Sequence, residues 1–290
     1  MKILITGSTG RVGRAIYARL RHDHDVTGLD IVPSPTANVV ASLGDERAMA
    51  TALRGVDAVI HVAALHAPHV GHRPDGDFEA INVRGTQRLA RLALDAGVKR
   101  FVFTSTTALY GSGAAPGEGA SWVTEETTPR PKTIYHRTKL AAEEALERHG
   151  RALAVTSLRM SRCFPEPAPL MAVYRLHRGI DARDVADAHA AALAWDGPGF
   201  RKYVISGATP FAVTDAVGLG ADAAAIIGRR MPALAVAFAA RGWHLPQRID
   251  RVYDSARAAA DLGWRPRYGF EEVLAELDRC SPEVLPPLQS

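Results

Sequence analysis

The run Tyr135-His136-Arg137-Thr138-Lys139 puts a phenol and an ammonium one helical turn apart, on the same face of a helix. A phenol with its ordinary pKa of about 10 is a poor base at neutral pH, and bringing it toward 7 takes roughly 4 kcal/mol of preferential phenolate stabilisation. A cation held beside it supplies part of that, so the pair suits proton transfer at a hydroxyl or carbonyl oxygen. The spacing alone is common by chance; its neighbours give it weight. Phe101-Val102-Phe103-Thr104-Ser105-Thr106-Thr107-Ala108-Leu109-Tyr110-Gly111 reads as an apolar strand delivering several hydroxyls at its C-terminal end, the edge where open α/β sheets place their ligands. One such hydroxyl can hydrogen-bond a substrate oxygen and stabilise charge developing on it.

A second constellation lies near the N-terminus. Thr6-Gly7-Ser8-Thr9-Gly10-Arg11-Val12-Gly13 follows a β-branched run from Lys2 and opens an amphipathic stretch through Leu20. Glycine is needed where a strand turns tightly into a helix and where a pyrophosphate approaches the helix N-terminus, whose free N–H groups and dipole favour an anion. Strand, turn and helix in this order indicate a dinucleotide site. Asp30 falls seventeen residues after Gly13, about where a carboxylate accepts hydrogen bonds from the adenosine ribose hydroxyls. It repels a 2′-phosphate, and Ile31-Val32-Pro33 offers no arginine to hold one, so NAD is expected rather than NADP. A bound oxidised nicotinamide would add a second positive charge near Tyr135.

Short β-branched runs alternating with longer helical stretches indicate a parallel sheet covered on both faces. Strands are expected from Lys2 to Thr6, Asp25 to Leu29, Ala58 to Val62, Arg100 to Thr104, Ala154 to Leu158 and Tyr203 to Ser206. Helices should start near Gly10, Glu46, Phe78 and Ile134, with another from Asp184 to Trp195. The fold class is α/β: a doubly wound parallel Rossmann sheet with a small C-terminal substrate-binding subdomain. Residues 1–163, completed by 181–208, would form the dinucleotide-binding domain. Residues 164–180 and 209–290, irregular and punctuated by Gly and Pro, would form a smaller substrate-binding lid. The tail after Ser281, with three prolines, is expected to be loosely held.

At 290 residues and 47% apolar composition the chain can bury a substantial core. Its 35 Lys and Arg are scattered among 31 Asp and Glu, which leaves no nucleic-acid footprint. Cys163 and Cys280 belong to no CxxC or Cys/His spacing and read as reduced thiols. His66, His69 and His72 sit in a Pro/Gly loop with no carboxylate at ligand spacing, so no metal is expected; His61 reads as a strand-end histidine near the cofactor. The most membrane-like stretch, Met231 to Ala240, is too short to span a bilayer, and Lys2 begins a strand with no charged leader before it. A cytoplasmic location without membrane or nucleic-acid partners is expected.

From TGSTGRVG through DAVIHVAA, INVRGT, FVFTSTTALYG and YHRTK to LRMSRCFPEP, RGIDARDVADAH and LGWRPRYGFEEVL, the chain resembles the extended short-chain dehydrogenase/reductase superfamily, the NAD-dependent epimerase/dehydratase group. The resemblance implies that Tyr135 is the acid/base and that Lys139 binds the nicotinamide ribose while lowering the Tyr135 pKa. It also implies that Thr106 polarises the substrate and that Gly7, Thr9, Gly10, Arg11, Val12, Gly13, Asp30, Ala63, Ala64 and Asn82 line the cofactor. Many relatives carry Asp-Leu after the third strand to grip adenine; here Ser42-Leu43 stands there, with Asp45 read as a helix N-cap. Where nucleotide-sugar enzymes show RxxNVYGP, this chain has Arg159-Met160-Ser161-Arg162-Cys163-Phe164-Pro165, a departure that weakens nucleotide-sugar epimerisation.

Cys163-Phe164-Pro165-Glu166-Pro167 and the following Tyr174-Arg175-Leu176-His177-Arg178 are similar to a stretch of uronate dehydrogenases, whose arginine holds the sugar carboxylate. The similarity implies Arg175 for a carboxylate, with Arg162 or Arg178 in reserve and Thr106 and Thr107 beside the reacting carbon; the alternative is that these arginines are solvated or pair with Asp181 and Asp184. Leu140, Ala141, Ala145 and Leu146 are either core or, as the family implies, the helix of a homodimer. The expected activity is NAD-dependent oxidation or reduction at a hydroxyl or carbonyl carbon of a small sugar or sugar acid. A sugar epimerase returning hydride to the opposite face and a silent dinucleotide sensor are the competing readings.

Overall fold

Side chains alternate across a strand, so each strand of a covered sheet feeds two cores at once. In the computed structural model, which describes residues 1–195 and 197–287, that alternation sorts the apolar residues. The strands are β1 (Lys2–Thr6), β2 (Asp25–Asp30), β3 (Val39–Val40), β4 (Ala58–His61), β5 (Arg100–Thr106), β6 (Ser121–Val123), β7 (Ala154–Met160), β8 (Gly199–Ile205) and β9 (Arg251–Tyr253). Seven form one parallel sheet in the order β3-β2-β1-β4-β5-β7-β8. Strand order reverses between β1 and β4, which opens the crevice where doubly wound sheets bind ligands.

The helices are α1 (Arg11–Leu20), α2 (Glu46–Ala52), α3 (Asp75–Phe78), α4 (Thr86–Asp95), α5 (Ile134–His149), α6 (Ala168–Arg175), α7 (Ala182–Ala192), α8 (Ala216–Ala221), α9 (Ala223–Arg230), α10 (Pro232–Ala240), α11 (Ala256–Leu262) and α12 (Phe270–Asp278). Ile3 and Ile5 of β1 and Val102 of β5 join Ile16 and Leu20 of α1 and Val185 and Ala186 of α7 in one core. Leu4, Phe101 and Phe103 point the other way, into Met49 of α2, Leu89 and Ala93 of α4, and Ala142 and Leu146 of α5. Ala145 and Leu146 are therefore buried inside their own chain. A third cluster gathers Met171 of α6 and Leu176, just past its end, with Ile227, Leu234, Phe238, Val252 and Phe270.

The structure departs from expectation where the signal was short. β3 has two residues, and β6 and β9 have three each, pairing in parallel from Ser121↔Arg251 to Val123↔Tyr253; such lengths show no periodicity. The helix expected near Phe78 begins at Asp75 and passes through a π-wound segment, Glu79–Gly85, before α4. The helix expected to begin at Asp184 starts at Ala182, N-capped by Asp181, and ends at Ala192. Asp45 caps α2, accepting from Ala48 N–H at 2.9 Å. The tail is anchored at residues 284 and 285, while 288–290 lie outside the described residues: Leu285 donates its N–H to Glu166 O at 3.0 Å and accepts from Ala168 N–H at 2.9 Å, and Val284 is buried in the third cluster. Among the described residues no single helix is long and apolar enough to cross a membrane.

One ion pair lies deep in this scaffold. Glu143 of α5 and Arg159 of β7, each 3% exposed, meet through Arg159 Nη2 at 2.6 Å and Nε at 3.1 Å. Ser157 Oγ donates to the same carboxylate at 2.9 Å, and Arg159 Nη1 donates to Tyr110 Oη at 2.9 Å. Removing one partner strands a buried charge, so Arg159→Ala should cost about 3–5 kcal/mol of unfolding free energy. Urea denaturation measures this, and a loss below about 1 kcal/mol would show the pair to be dispensable.

Candidate active site

The glycine turn sits where β1 runs into α1. Gly7 has φ +71°, and a Cβ there would lie 2.6 Å from Ala63 N; at Gly13 it would lie 2.0 Å from Gly7 O. Packing requires both glycines. Gly10 differs: its Cβ would meet only Gly7 O, at an ordinary 3.5 Å. It is exposed, no side chain caps the helix behind it, and the first turn of α1 carries no acid. The helix N-terminus is thus left open to an anion, the arrangement a dinucleotide pyrophosphate needs. Asp30, at the end of β2, accepts from Thr9 N–H at 3.0 Å and Val32 N–H at 3.1 Å. Arg11 and Val12 are half-buried beside the turn, as are Ala63 and Ala64 across the crevice. Ser42 Oγ accepts from Gly44 N–H at 3.1 Å, while Leu43 is packed into the core.

Thr133 caps α5, its Oγ1 accepting from His136 N–H at 3.3 Å. This brings Tyr135 into the first turn, against the end of β5. Burial raises the Tyr135 pKa, and the neighbouring Thr106 hydroxyl opposes the rise. Thr106 also accepts from Ala108 N–H at 3.1 Å, which fixes its side chain. Lys139 is 3% exposed and donates to Thr104 O at 2.7 Å, its Nζ 3.8 Å from the centre of the Phe103 ring. Burial brings its pKa down to about 7 against the raising field of Glu143. Among the described residues no hydrogen bond joins Lys139 to Tyr135; the ammonium is held by strand β5 instead.

Asn82, in the π-wound segment, donates through Nδ2 to Leu65 O at 2.9 Å and Thr138 Oγ1 at 3.1 Å, and accepts from Leu65 N–H at 2.8 Å. Both amide hydrogens are thereby committed to tying α5 to the loop after β4. His61 belongs to the same frame. Thr86 Oγ1 gives its hydrogen to Asn82 O at 2.7 Å, so it accepts from His61 Nε2–H at 2.9 Å, and Thr6 Oγ1 donates to His61 Nδ1 at 2.6 Å. His189 Nδ1–H donates to Val185 O at 2.7 Å, leaving Nε2 to accept from Thr104 Oγ1 at 2.8 Å.

The arginines expected to meet a carboxylate all have anions of their own. Arg175 is buried and donates to Asp181 at 3.0 Å. Arg162 grips both oxygens of Glu166 at 2.7 and 2.8 Å, and Arg178 donates to Tyr174 Oη at 2.6 Å and lies 3.6 Å from Asp250. The alternative of internal pairing holds for Arg175 with Asp181. Thr107 is buried in the turn after β5. His66 donates its N–H to His69 Nδ1 at 3.1 Å, and its ring stacks on Phe164 at 5.9 Å. Among the described residues no group of three His, Cys, Asp or Glu could hold a metal ion. Cys163 is buried, and burial pushes its thiol pKa up. The supporting residues that the motif reading passed over are Glu143, Arg159, Tyr110 and Thr133. Glu143, one helical turn beyond Lys139, was the only one announced by spacing.

The chain matches the NAD dependent epimerase/dehydratase family over residues 3–167. It belongs to that family. The 3-beta-hydroxysteroid dehydrogenase of Mycolicibacterium neoaurum is 31% identical over 157 residues, covering 49% of this chain and 42% of that protein. The L-arabinose 1-dehydrogenase (NAD(P)(+)) of Haloferax volcanii is 32% identical over 179 residues, covering 55% and 66%. The chain thus spans only about two fifths to two thirds of the length of these curated relatives. A short-chain dehydrogenase/reductase superfamily protein from Agrobacterium tumefaciens with bound NAD superposes with a TM-score of 0.69 at 25% identity, covering 95% of each chain. MoeE5 in complex with UDP-glucuronic acid and NAD shares the fold, with a TM-score of 0.70 at 23% identity over 97% of this chain and 99% of that one.

Three buried histidines make the scaffold acid-sensitive. Burial brings the pKa of His61 and His177 to about 3 and that of His189 to about 4. All three are neutral when folded and take up protons near pH 6.5 when unfolded, so their contribution is present above that pH and is lost as pH falls toward 3 to 4. Three protons correspond to a slope of up to about 4 kcal/mol per pH unit. Urea midpoints measured from pH 7 to 4 should show it, and His189→Gln should make the slope shallower by about one proton. An unchanged slope in that variant would contradict the assignment.

Proposed function

We propose that this chain is an NAD-dependent oxidoreductase acting on a hydroxyl or carbonyl carbon of a small sugar or sugar-acid-like substrate. The observation that carries the reading is the half-buried Tyr135 phenol one helical turn from the buried Lys139 in α5, with the Thr106 hydroxyl near enough to influence the phenol at the C-terminal end of β5, on the same sheet edge as the N-terminus of α1. The residues present fit the dinucleotide: Gly10 clears the helix end, Gly7 and Gly13 allow the close turn, and Asp30 stands at the end of β2 for the adenosine ribose. NAD, when bound, supplies the hydride acceptor.

Tyr135 takes the proton from the substrate hydroxyl, and Thr106 holds the same oxygen by a hydrogen bond that strengthens as charge develops. Burial alone works against the phenolate, so Lys139, one turn along α5, supplies the compensating charge when it is protonated. Asn82, Glu143 and Arg159 keep α5 in place against β5 and β7. Residues 164–180 and 209–290 act as the substrate-binding lid over the dinucleotide-binding residues 1–163 and 181–208. Because Arg162, Arg175 and Arg178 each pair internally, neutral aldoses and simple alcohols are candidate substrates beside uronic acids. Epimerisation is the second reading, favoured by the family match; turnover without added NAD distinguishes it from net oxidation.

Screening NADH production across uronic acids, aldoses and simple alcohols should find a substrate class. Tyr135→Phe should then abolish turnover, by about a hundredfold or more, while leaving NADH binding near normal. Retained activity in that variant would remove Tyr135 from the chemistry. Asp30→Ala should shift the ratio of NAD to NADP affinity toward NADP by about tenfold, measured by fluorescence titration. An unchanged ratio would take Asp30 out of ribose recognition.

A further inference from the structure

The C-terminal segment reaches the residue that follows the glycine turn. Leu285 is hydrogen-bonded to both Glu166 and Ala168, Val284 is 5% exposed, and Glu283 N–H donates to Ser281 Oγ at 3.3 Å. Held between these anchors, the Glu283 carboxylate forms a salt bridge with Arg11. Arg11 is the first residue of α1 and follows Gly10 directly, so its guanidinium stands beside the helix N-terminus that was left open. Its Nε is buried and has no hydrogen-bond partner. The first turn of α1 has no acid of its own; the tail brings one to it.

We propose that residues 281–285 form an anionic strap over the dinucleotide site, in which Glu283 holds Arg11 until the pyrophosphate of the dinucleotide displaces it. The proposal rests on the dinucleotide reading above. Two anions beside one helix N-terminus repel each other and compete for the Arg11 guanidinium. The Arg11 and Glu283 side chains are 20% and 46% exposed, so the bridge is weak enough to exchange. The backbone bonds of Leu285 make docking of the strap cooperative. Binding of dinucleotide and docking of the tail therefore oppose each other reciprocally.

The test uses the full chain with NADH, and with adenosine, which lacks the pyrophosphate, as control. Fluorescence titration should show Glu283→Gln binding NADH about two- to fivefold more tightly than the wild type, and the gain should vanish in an Arg11→Gln background. Hydrogen exchange at the Leu285 amide should accelerate with NADH and stay unchanged with adenosine. Equal or weaker NADH affinity in Glu283→Gln, a gain that persists without Arg11, or unchanged or slower exchange at Leu285 with NADH overturns the strap. If wild type and Glu283→Gln both fail to bind NADH, the dinucleotide reading falls and the strap with it. Normal wild-type binding with no response in the variant removes the strap alone.

Discussion

The attachment of α5 to strands β5 and β7 is the constraint from which the rest of the site follows. Lys139 donates to Thr104 O on β5, and Glu143 grips Arg159 on β7. Both bonds are buried, where unpaired charges are expensive, so the helix is held at one rotation and one height. That placement brings Tyr135, in the first turn of the same helix, against Thr106 at the end of β5. A hydrophobic interface alone would tolerate small slips; a bidentate ion pair and a buried ammonium do not.

A second polar frame supports the first from the β4 side. Thr6, His61, Thr86 and Asn82 form a chain of hydrogen bonds from β1 through β4 into the π-wound segment, and Asn82 passes it on to Leu65 and Thr138. The extra backbone residue of a π turn aims Asn82 at α5, a device often found beside functional sites. Every member is buried and bonded, which is the condition under which such a network adds rigidity rather than cost. The crevice at the switch between β1 and β4 is thus walled by groups that cannot relax independently.

Charge is distributed unevenly about this crevice. Burial pulls Lys139 to about 7 and keeps His61 and His189 neutral, and the buried Arg159 and Arg175 are compensated by Glu143 and Asp181. An anion approaching the crevice then meets the N-terminus of α1 and Arg11. The Glu283 carboxylate pairs with Arg11 in this structure, which connects the C-terminal segment to the residue after the glycine turn.

The amino-acid sequence by itself determined the doubly wound sheet, the glycine turn, the Tyr135/Lys139 spacing and the hydroxyl-bearing end of β5. These follow from periodicity and from residues a few positions apart, and local steric rules act over that range. It also announced the Asp45 cap, one helical turn of local geometry. Tertiary structure alone decided that Arg175 faces Asp181, that Asn82 braces α5, that Glu143 meets Arg159 and that the tail docks at Arg11. Each of those is a competition among partners of similar chemistry lying on different elements, and only the packed arrangement of elements settles which pair comes within bonding distance. The short strands β3, β6 and β9 belong to the same class: two or three residues carry no period, and their pairing exists because neighbouring elements deliver them to an edge.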